Sequence, residues 1–469
     1  MSHKRSNHGE IRDLTQGPIR KQLISFALPL FAGSLIQLLY NTVDLMFVGR
    51  ILGSEASASV GASSLIVTCI LGAFTGLSVG VGVVTAKAVG SGDTGKLNQI
   101  IHCAAGLTCV LSLVFTVLGL IMAPEILRWI QTPADVMESA TAYLRLYLLS
   151  LISIVSYNIG SGILRALGNT RSPMLYQLAG GIANIIGNTL FIYFLDWGVQ
   201  GAALATACSQ GLAAFLMIRH LCVMRTDYRL RLQQLQINAR ICRQFLLVGI
   251  PAAIQSVVIT LSNLIVQAHI NQLGIDSMAA FTAYFKVENF IYLPIMAFGQ
   301  ACSTFTSQNI GACQMDRAKQ GVKISLLLGI IITVSASVLT LCFSNFAFGL
   351  FSKDPTVIAL GTKIAFVAYP FYFIYVFLEV YASAIRGAGK ALPAMLIVVI
   401  NMCVVRTCIL KITLHFYPNV LGVAAIYPLT WACTGLCLFL YYRSGRWSPV
   451  QTGPAHKSIP QETRKRTSL

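Results

Sequence analysis

Between residues 22 and 47 an apolar run carries a single charge, Asp44. Gln37 and Asn41 precede it at seven and three residues, so helical periodicity stacks all three on one face. A second polar stripe, Gln177, Asn184 and Asn188, lies further along, with the last two one turn apart. A carboxylate surrounded by amide oxygens suits a sodium ion or an exchangeable proton. At the centre of a bilayer a charged side chain costs roughly 2.5–3.5 kcal/mol on insertion scales, so such residues tend to serve function. The competing reading is an aspartate held by a neighbouring hydroxyl or amide for packing alone.

The second half of the chain has its own carboxylates in apolar surroundings. Glu288 and Tyr292 are one turn apart, and Tyr372, Tyr375 and Glu379 share a helical face. Carboxylates flanked by aromatic rings suit an organic cation, through charge pairing and cation–π contact. Ser256, Thr260, Asn263, Gln267 and Asn271 recur at steps of three and four, which makes one helix face polar. A cleft lining or interhelical hydrogen bonding accounts for such a face. Lys286, Arg406 and Lys411 offer the alternative of neutralising the acids structurally.

What must position these residues is a set of membrane helices. Hydrophobic residues make up 55% of the chain and charged residues 11%, and about 20 apolar residues span a bilayer as a helix. Twelve such stretches lie near 22–47, 57–84, 98–122, 137–160, 172–195, 199–221, 243–269, 279–304, 321–345, 357–381, 392–414 and 420–442. The second six repeat the first at an offset of 221 residues: Gly53 answers to Gly274, Gly90 to Gly311, Arg165 to Arg386, Gly168 to Gly389 and Gly201 to Gly422. Pro29 and Pro251 differ from that offset by one residue. The fold class expected is all-α integral membrane, with twelve transmembrane helices in two six-helix bundles. An even number of helices per repeat relates the bundles by a pseudo-two-fold along the membrane normal, the skeleton of many transporters. The organisation expected is an N-terminal arm (1–21), an N-lobe (22–221), a linker (222–242), a C-lobe (243–443) and a disordered tail (444–469).

The formal charge of +18 is a topology signal and does not point to nucleic acid. Most Lys and Arg fall in the tails and in alternate loops, on one side of the twelve-helix arrangement, which places those loops and both termini in the cytoplasm. No cleavable leader is expected, because the first 21 residues are polar and basic and the first apolar run is too long. The thirteen cysteines fall mostly inside apolar stretches without zinc spacing. Arg165–Gly168 and Arg386–Gly389 read as helix-ending turns, glycine capping and arginine facing the negative helix end. No nucleotide-binding motif, nucleophile–base pair or cofactor site emerges. The chain is expected not to be an enzyme, and transport would run on an ion gradient.

The chain resembles the multidrug and toxic compound extrusion (MATE) family in its prokaryotic branches. The likeness covers nearly all of residues 20–443, most clearly LPLFAGSLIQLLYNTVDLMFVGRILG (28–53), GILRALGNTRSPM (162–174), TSQNIGACQMDRAKQG (306–321) and AIRGAGKALPAM (384–395). The resemblance implies two six-helix bundles in a V, exporting cationic or lipophilic compounds in exchange for sodium or protons from the cell membrane. Asp44 matches the helix 1 aspartate implicated in cation coupling, and Asn184 a helix 5 asparagine near it. Where prokaryotic members often carry an aspartate followed by proline one turn later, this chain has Asn188-Thr189. That departure centres coupling on Asp44 or shifts it to Glu288 and Glu379. The expected partners are organic cations and membrane lipids, with a single chain supplying both lobes as a monomer. A lipid or polysaccharide-precursor flippase of the same wider superfamily is the alternative.

Overall fold

The computed structural model describes residues 13–448, and every regular element among them is helical. Twelve rods follow one another. In the first half they are α1 (Ile19–Phe47), α2 (Gly53–Ser91), α3 (Thr94–Trp129), α4 (Ala134–Leu149 with Leu151–Ala166), α5 (Arg171–Asn188, continued by a π turn to Phe194) and α6 (Gly198–Val223). In the second half they are α7 (Ala239–Asn271), α8 (Ile275–Gly311), α9 (Met315–Cys342), α10 (Pro355–Ala368 with Tyr372–Gly387), α11 (Ala391–Val399 and Arg406–Phe416, joined by a π turn) and α12 (Val420–Arg443). Side-chain oxygens stop several of them from fraying. Asp93 accepts from the Lys96 amide at 2.9 Å, Asn419 from that of Gly422 at 2.8 Å, and Asn238 from those of Arg240 and Ile241.

Ten of the helices are long and apolar enough to cross a membrane, and the α4 pair, bent by 44° at Ser150, makes an eleventh. The remaining rod, α8, has 37 residues. It is more polar because its first half carries Asp276, Lys286 and Glu288 and its second half a polar run from Gln300 to Asn309, of which Gln300 and Gln308 reach the other lobe. Exposed Leu113, Ile121, Phe215, Leu339 and Leu436 give the bundle the apolar exterior that lipid requires.

The contacts reproduce the internal repeat. In the first half α1 packs on α5, α2 and α3 on α4, and α4 and α5 on α6; in the second, α7 packs on α11, α8 and α9 on α10, and α10 and α11 on α12. The halves meet through α2–α7, its repeat counterpart α1–α8, and α2–α8. This is the pattern of two six-helix bundles exchanged by a two-fold axis.

The two counterpart crossings differ in closeness for a reason visible in the residues. On α2, a Cβ at Gly76 would lie 2.3 Å from the Ala253 nitrogen, and one at Gly80 2.3 Å from the Phe245 oxygen. Only a residue without a side chain permits that backbone approach. Their counterparts on α8 are Ala297 and Ala301, which instead pack on Phe26, Ala27 and Leu30 of α1. Near the termini the axis shows itself again: a Cβ at Gly90 would meet the Gln308 carbonyl at 1.9 Å, and one at Gly311 the Lys87 carbonyl at 2.1 Å. The lobes are shut at this end.

The first described residues seal it further. Leu14 is buried, its amide donating to Gln308 Oε1 at 3.0 Å and its carbonyl accepting from Arg317. Gln308 Nε2 donates across the lobes to the Ala166 carbonyl at 2.7 Å. Residues 1–12 and 449–469, which hold most of the expected arm and tail, lie outside the described residues. One boundary changes: the tail expected to be disordered from 444 is held as far as 448, because Trp447 is buried and stacks on Tyr442 at 4.6 Å.

Candidate functional site

Asp44 ends the polar stripe of α1 and is half-buried, opening on a cavity of about 310 Å³ inside the first lobe. Gln37, Asn41, Gln177, Asn158 and Thr206 line the same cavity, with Tyr40, Tyr143, Tyr147 and Tyr157 as its aromatic walls. Asp44 Oδ1 accepts from Asn188 Nδ2 at 2.7 Å. The same amide reaches Asn184 Oδ1 at 3.3 Å, and Asn184 Nδ2 reaches Thr206 Oγ1 at 3.4 Å. Asn188 Oδ1 is buried without a hydrogen-bond partner. The result is a compact group of oxygens, one carboxylate among them, in which an acceptor beside Asp44 lacks a donor. Hard cations prefer oxygen ligands of this kind.

Local structure holds the group in place. Asn188 is the last residue of α5 before its backbone widens into the π turn Thr189–Phe194; π turns often mark functional sites. Another π turn, Val48–Leu52, follows Asp44 and absorbs the extra residue that α1 has over α7.

The structure thus brings together Asp44, Asn41, Gln37, Asn184 and Asn188. It places the residues expected in the second half elsewhere. Tyr372 donates its hydroxyl to Glu288 Oε1. Tyr292 and Tyr375 are tilted against each other at 5.7 Å, and Tyr375 meets Trp431 edge-on at 5.4 Å. Asn263 Oδ1 accepts from Arg406 Nη1 at 3.1 Å, and the Arg406 guanidinium lies 4.8 Å from the Tyr427 ring centre. Arg406 is 2% exposed, and its Nε has no partner. Gln267 Nε2 donates to Asn271 near the end of α7.

Glu379 needs correction as a substrate-facing acid. It is buried and held by Arg386 Nη2 at 2.7 Å and Ser383 Oγ at 2.8 Å. An acid so compensated has no free charge for a cargo in this conformation. Its neutralising partner is Arg386, two turns along the same helix. Lys286 instead sits 5.7 Å from the Phe351 ring. The reading of Arg165 and Arg386 as turn residues also changes. Gly168 and Gly389 make the turns, with φ of 87° and 85°, while both arginines point into a pocket between the lobes.

The repeat explains why the space equivalent to this cavity is filled in the second half. Counterparts of Val60, Ser64, Leu71, Ile154 and Gln210, which line the first-half cavity, are Phe281, Phe285, Tyr292, Tyr375 and Trp431. Aromatic rings fill the equivalent space. In α11 the π turn comes earlier than in α5, so between the two turns the register shifts by one residue. Arg406 then stands where Asn184 does, and buried Leu410 where Asn188 does. Sequence reasoning missed Tyr40, Thr206 and Gln210. Tyr40 could have been found, since it shares the helical face of Gln37 and Asp44.

Comparison with known proteins agrees with this fold. The MatE family model matches residues 29–190 and 251–410, one stretch in each lobe. The chain is 28% identical over 450 residues to the probable multidrug resistance protein YpnP of Bacillus subtilis, covering 94% of this chain and 98% of that protein. It is 25% identical to the FAD transporter of Shewanella oneidensis, over 92% of this chain and 96% of that one. A probable multidrug resistance protein NorM of Thermotoga maritima is 23% identical, over 92% and 93%. Among solved structures, the outward-facing conformation of a multidrug resistance MATE family transporter of the MOP superfamily superposes with a TM-score of 0.88 at 22% identity, over 94% of this chain and 99% of that one. A MATE in the straight conformation gives 0.86, over 93% and 97%.

Proposed function

The chain belongs to the MatE family of membrane transporters, and we propose that it exports organic cations and lipophilic compounds by alternating access, coupled to sodium or proton influx at Asp44. The observation that carries this reading is the Asp44–Asn188–Asn184–Thr206 chain on the wall of a cavity, with Asn188 Oδ1 lacking a donor. An oxygen set of that composition accepts a sodium ion, and a carboxylate alone accepts a proton. No resident cofactor is needed for either, since the cation is itself cargo. In the second half Arg406 occupies the equivalent place as a fixed positive charge, which favours the first lobe as the coupling site.

The basic loops put both termini in the cytoplasm, so a molecule shut at the termini end faces outward across the plasma membrane. Relatives described as multidrug resistance proteins support small organic cargo, and the relative described as an FAD transporter extends that range to a dinucleotide. The flippase reading is disfavoured by the Asp44 carboxylate on the cavity wall.

The test uses inside-out vesicles holding the full chain, with ethidium as cargo and sodium and proton gradients imposed separately. One gradient drives dye movement, and Asp44→Asn abolishes it at unchanged protein level. Movement indifferent to both gradients, or intact in the variant, defeats the antiport reading.

A further inference from the structure

A second polar pocket, of about 70 Å³, lies between the lobes where Arg165 and Arg386 converge with Ser78, Gln300, Ser303 and Ser307. The two arginines are repeat counterparts, one from each lobe. Arg386 is neutralised by Glu379. Arg165 pairs with no carboxylate among the described residues. Its contacts are to neutral oxygens: the Ser161 carbonyl at 3.2 Å, Gln300 Oε1 at 2.9 Å and, at 3.4 Å, Ser78 Oγ. A guanidinium has five N–H donors, so three contacts leave two hydrogens for the cavity. The pocket therefore holds one uncompensated positive charge in a setting where such charge is costly.

The charge does not stop there. Val83 separates this pocket from another cavity of about 360 Å³ lined by Lys87 and Lys96 and by no acid. Lys96 also lines the next cavity outward, with Arg240 and Asp93. Lys87 Nζ donates to the Ala388 carbonyl at 2.8 Å, across the lobe boundary and two residues from Arg386. A succession of basic side chains thus leads from the surface at the termini end to Arg165.

We propose that this pocket binds an oxyanion, phosphate or carboxylate, on an anionic or zwitterionic cargo, and that the lysines at the closed end steer it there. Fixed guanidinium geometry matches such groups with two parallel N–H···O bonds. The Asp44 cavity and the Arg165 pocket would then read opposite charges.

The test is equilibrium binding to the full-length protein in detergent, read by flavin fluorescence with riboflavin and its phosphate monoester, which differ only in the oxyanion. The wild type should bind the phosphate form about tenfold tighter or better, a preference that salt weakens. Arg165→Gln should bring the two affinities together, and Arg165→Lys should keep part of the preference. Lys87→Gln, which keeps the backbone contact with Gly311 and removes only the side-chain charge, should reduce it severalfold and serves where Arg165→Gln fails to fold. Repeating the measurement in nanodiscs with and without phosphatidylglycerol separates the sources. Competition by that lipid, lost in Arg165→Gln, makes a headgroup the occupant, and its absence leaves the cargo's own anion. No phosphate preference in the wild type, or one indifferent to both substitutions, overturns the proposal. Binding is read without a gradient, so failure of the antiport reading would not be mistaken for failure here.

Discussion

Gly76→Ala should shift the molecule away from its closed state while leaving each lobe folded. The new Cβ would meet the Ala253 nitrogen at 2.3 Å and its Cα at 2.5 Å. Both are backbone atoms within a helix, so no rotamer change relieves them. Carbon contacts settle near 3.5–4.0 Å, which means α2 and α7 must separate by roughly 1 Å. Overpacking of this kind costs about 1–3 kcal/mol. Alanine gains about 1 kcal/mol of helix propensity over glycine, but it does so in every conformation and cancels from the equilibrium between them. The crossing cost falls only on the closed state, so its population relative to the open one should drop by roughly 5- to 150-fold. Cys103 of α3 and Cys242 of α7 provide the gauge, with their sulfurs 3.4 Å apart at the closed end. Brief diamide treatment, with the Cys103–Cys242 peptide quantified by mass spectrometry, should give slower cross-linking in Gly76→Ala than in the wild type. Gly211→Ala is the control, since its Cβ would find only Ser153 Oγ, at 4.0 Å. Equal cross-linking in a Gly76→Ala protein of unchanged melting temperature would refute the argument that this crossing controls closure.

Further outcomes follow from individual contacts. Asn188→Ala removes the amide that donates to Asp44; hydrogen bonds to charged groups are worth about 1.5–3 kcal/mol, so ethidium efflux should fall at least about tenfold, while Thr189→Val, next along but turned outward, should change it little. Arg386→Gln leaves Glu379 buried without its partner and should lower stability by about 3–5 kcal/mol; adding Glu379→Gln should recover much of that in thermal unfolding, and a double variant no better than the single would remove the ion pair from the account. Gln308→Ala frees the Leu14 amide from its acceptor, so hydrogen exchange at Leu14 should quicken, with unchanged exchange showing that the contact contributes nothing to holding the segment.

The architecture was legible in the sequence because lipid leaves few choices. A charge-poor chain with twelve apolar runs must be helical, and five residue pairs at one spacing reveal the repeat. Asp44, Asn184 and Asn188 were legible for the same reason, since an amide or carboxylate in an apolar run must face something polar. Thr206 and Gln210 gave no such signal, because single hydroxyls and amides in membrane helices serve ordinary packing as often as sites. Glu379 was misread through its neighbours: Tyr372 and Tyr375 suggested a cation site, whereas Arg386, seven residues on, lay on the same face and is the true partner. The π turns left no mark in composition. They set which residue of α11 stands opposite which residue of α5, so Arg406 could be seen as a neutralising cation but not as the counterpart of Asn184.

That counterpart relation bears on why duplicated lobes should differ. In the first half a carboxylate faces a cavity with no basic partner among the contacts described, and on the proposed coupling its charge is met by a cation that arrives and leaves. In the second half the positive charge is covalently part of α11. Arg406 lies against Tyr427 and Asn263, and aromatic rings close the space a solute would need. A guanidinium cannot give up its proton at any accessible pH, so the charge at the Arg406 position is permanent. If both lobes carried exchangeable cations, rocking would move two charges through lipid or strand one of them when a single site emptied. If coupling resides at Asp44 as proposed, a single site changes its charge in each cycle and the membrane potential acts on that one group. On the proposed coupling at Asp44, the departure from two-fold symmetry at Asn184 and Arg406 leaves the exchangeable charge to the first lobe.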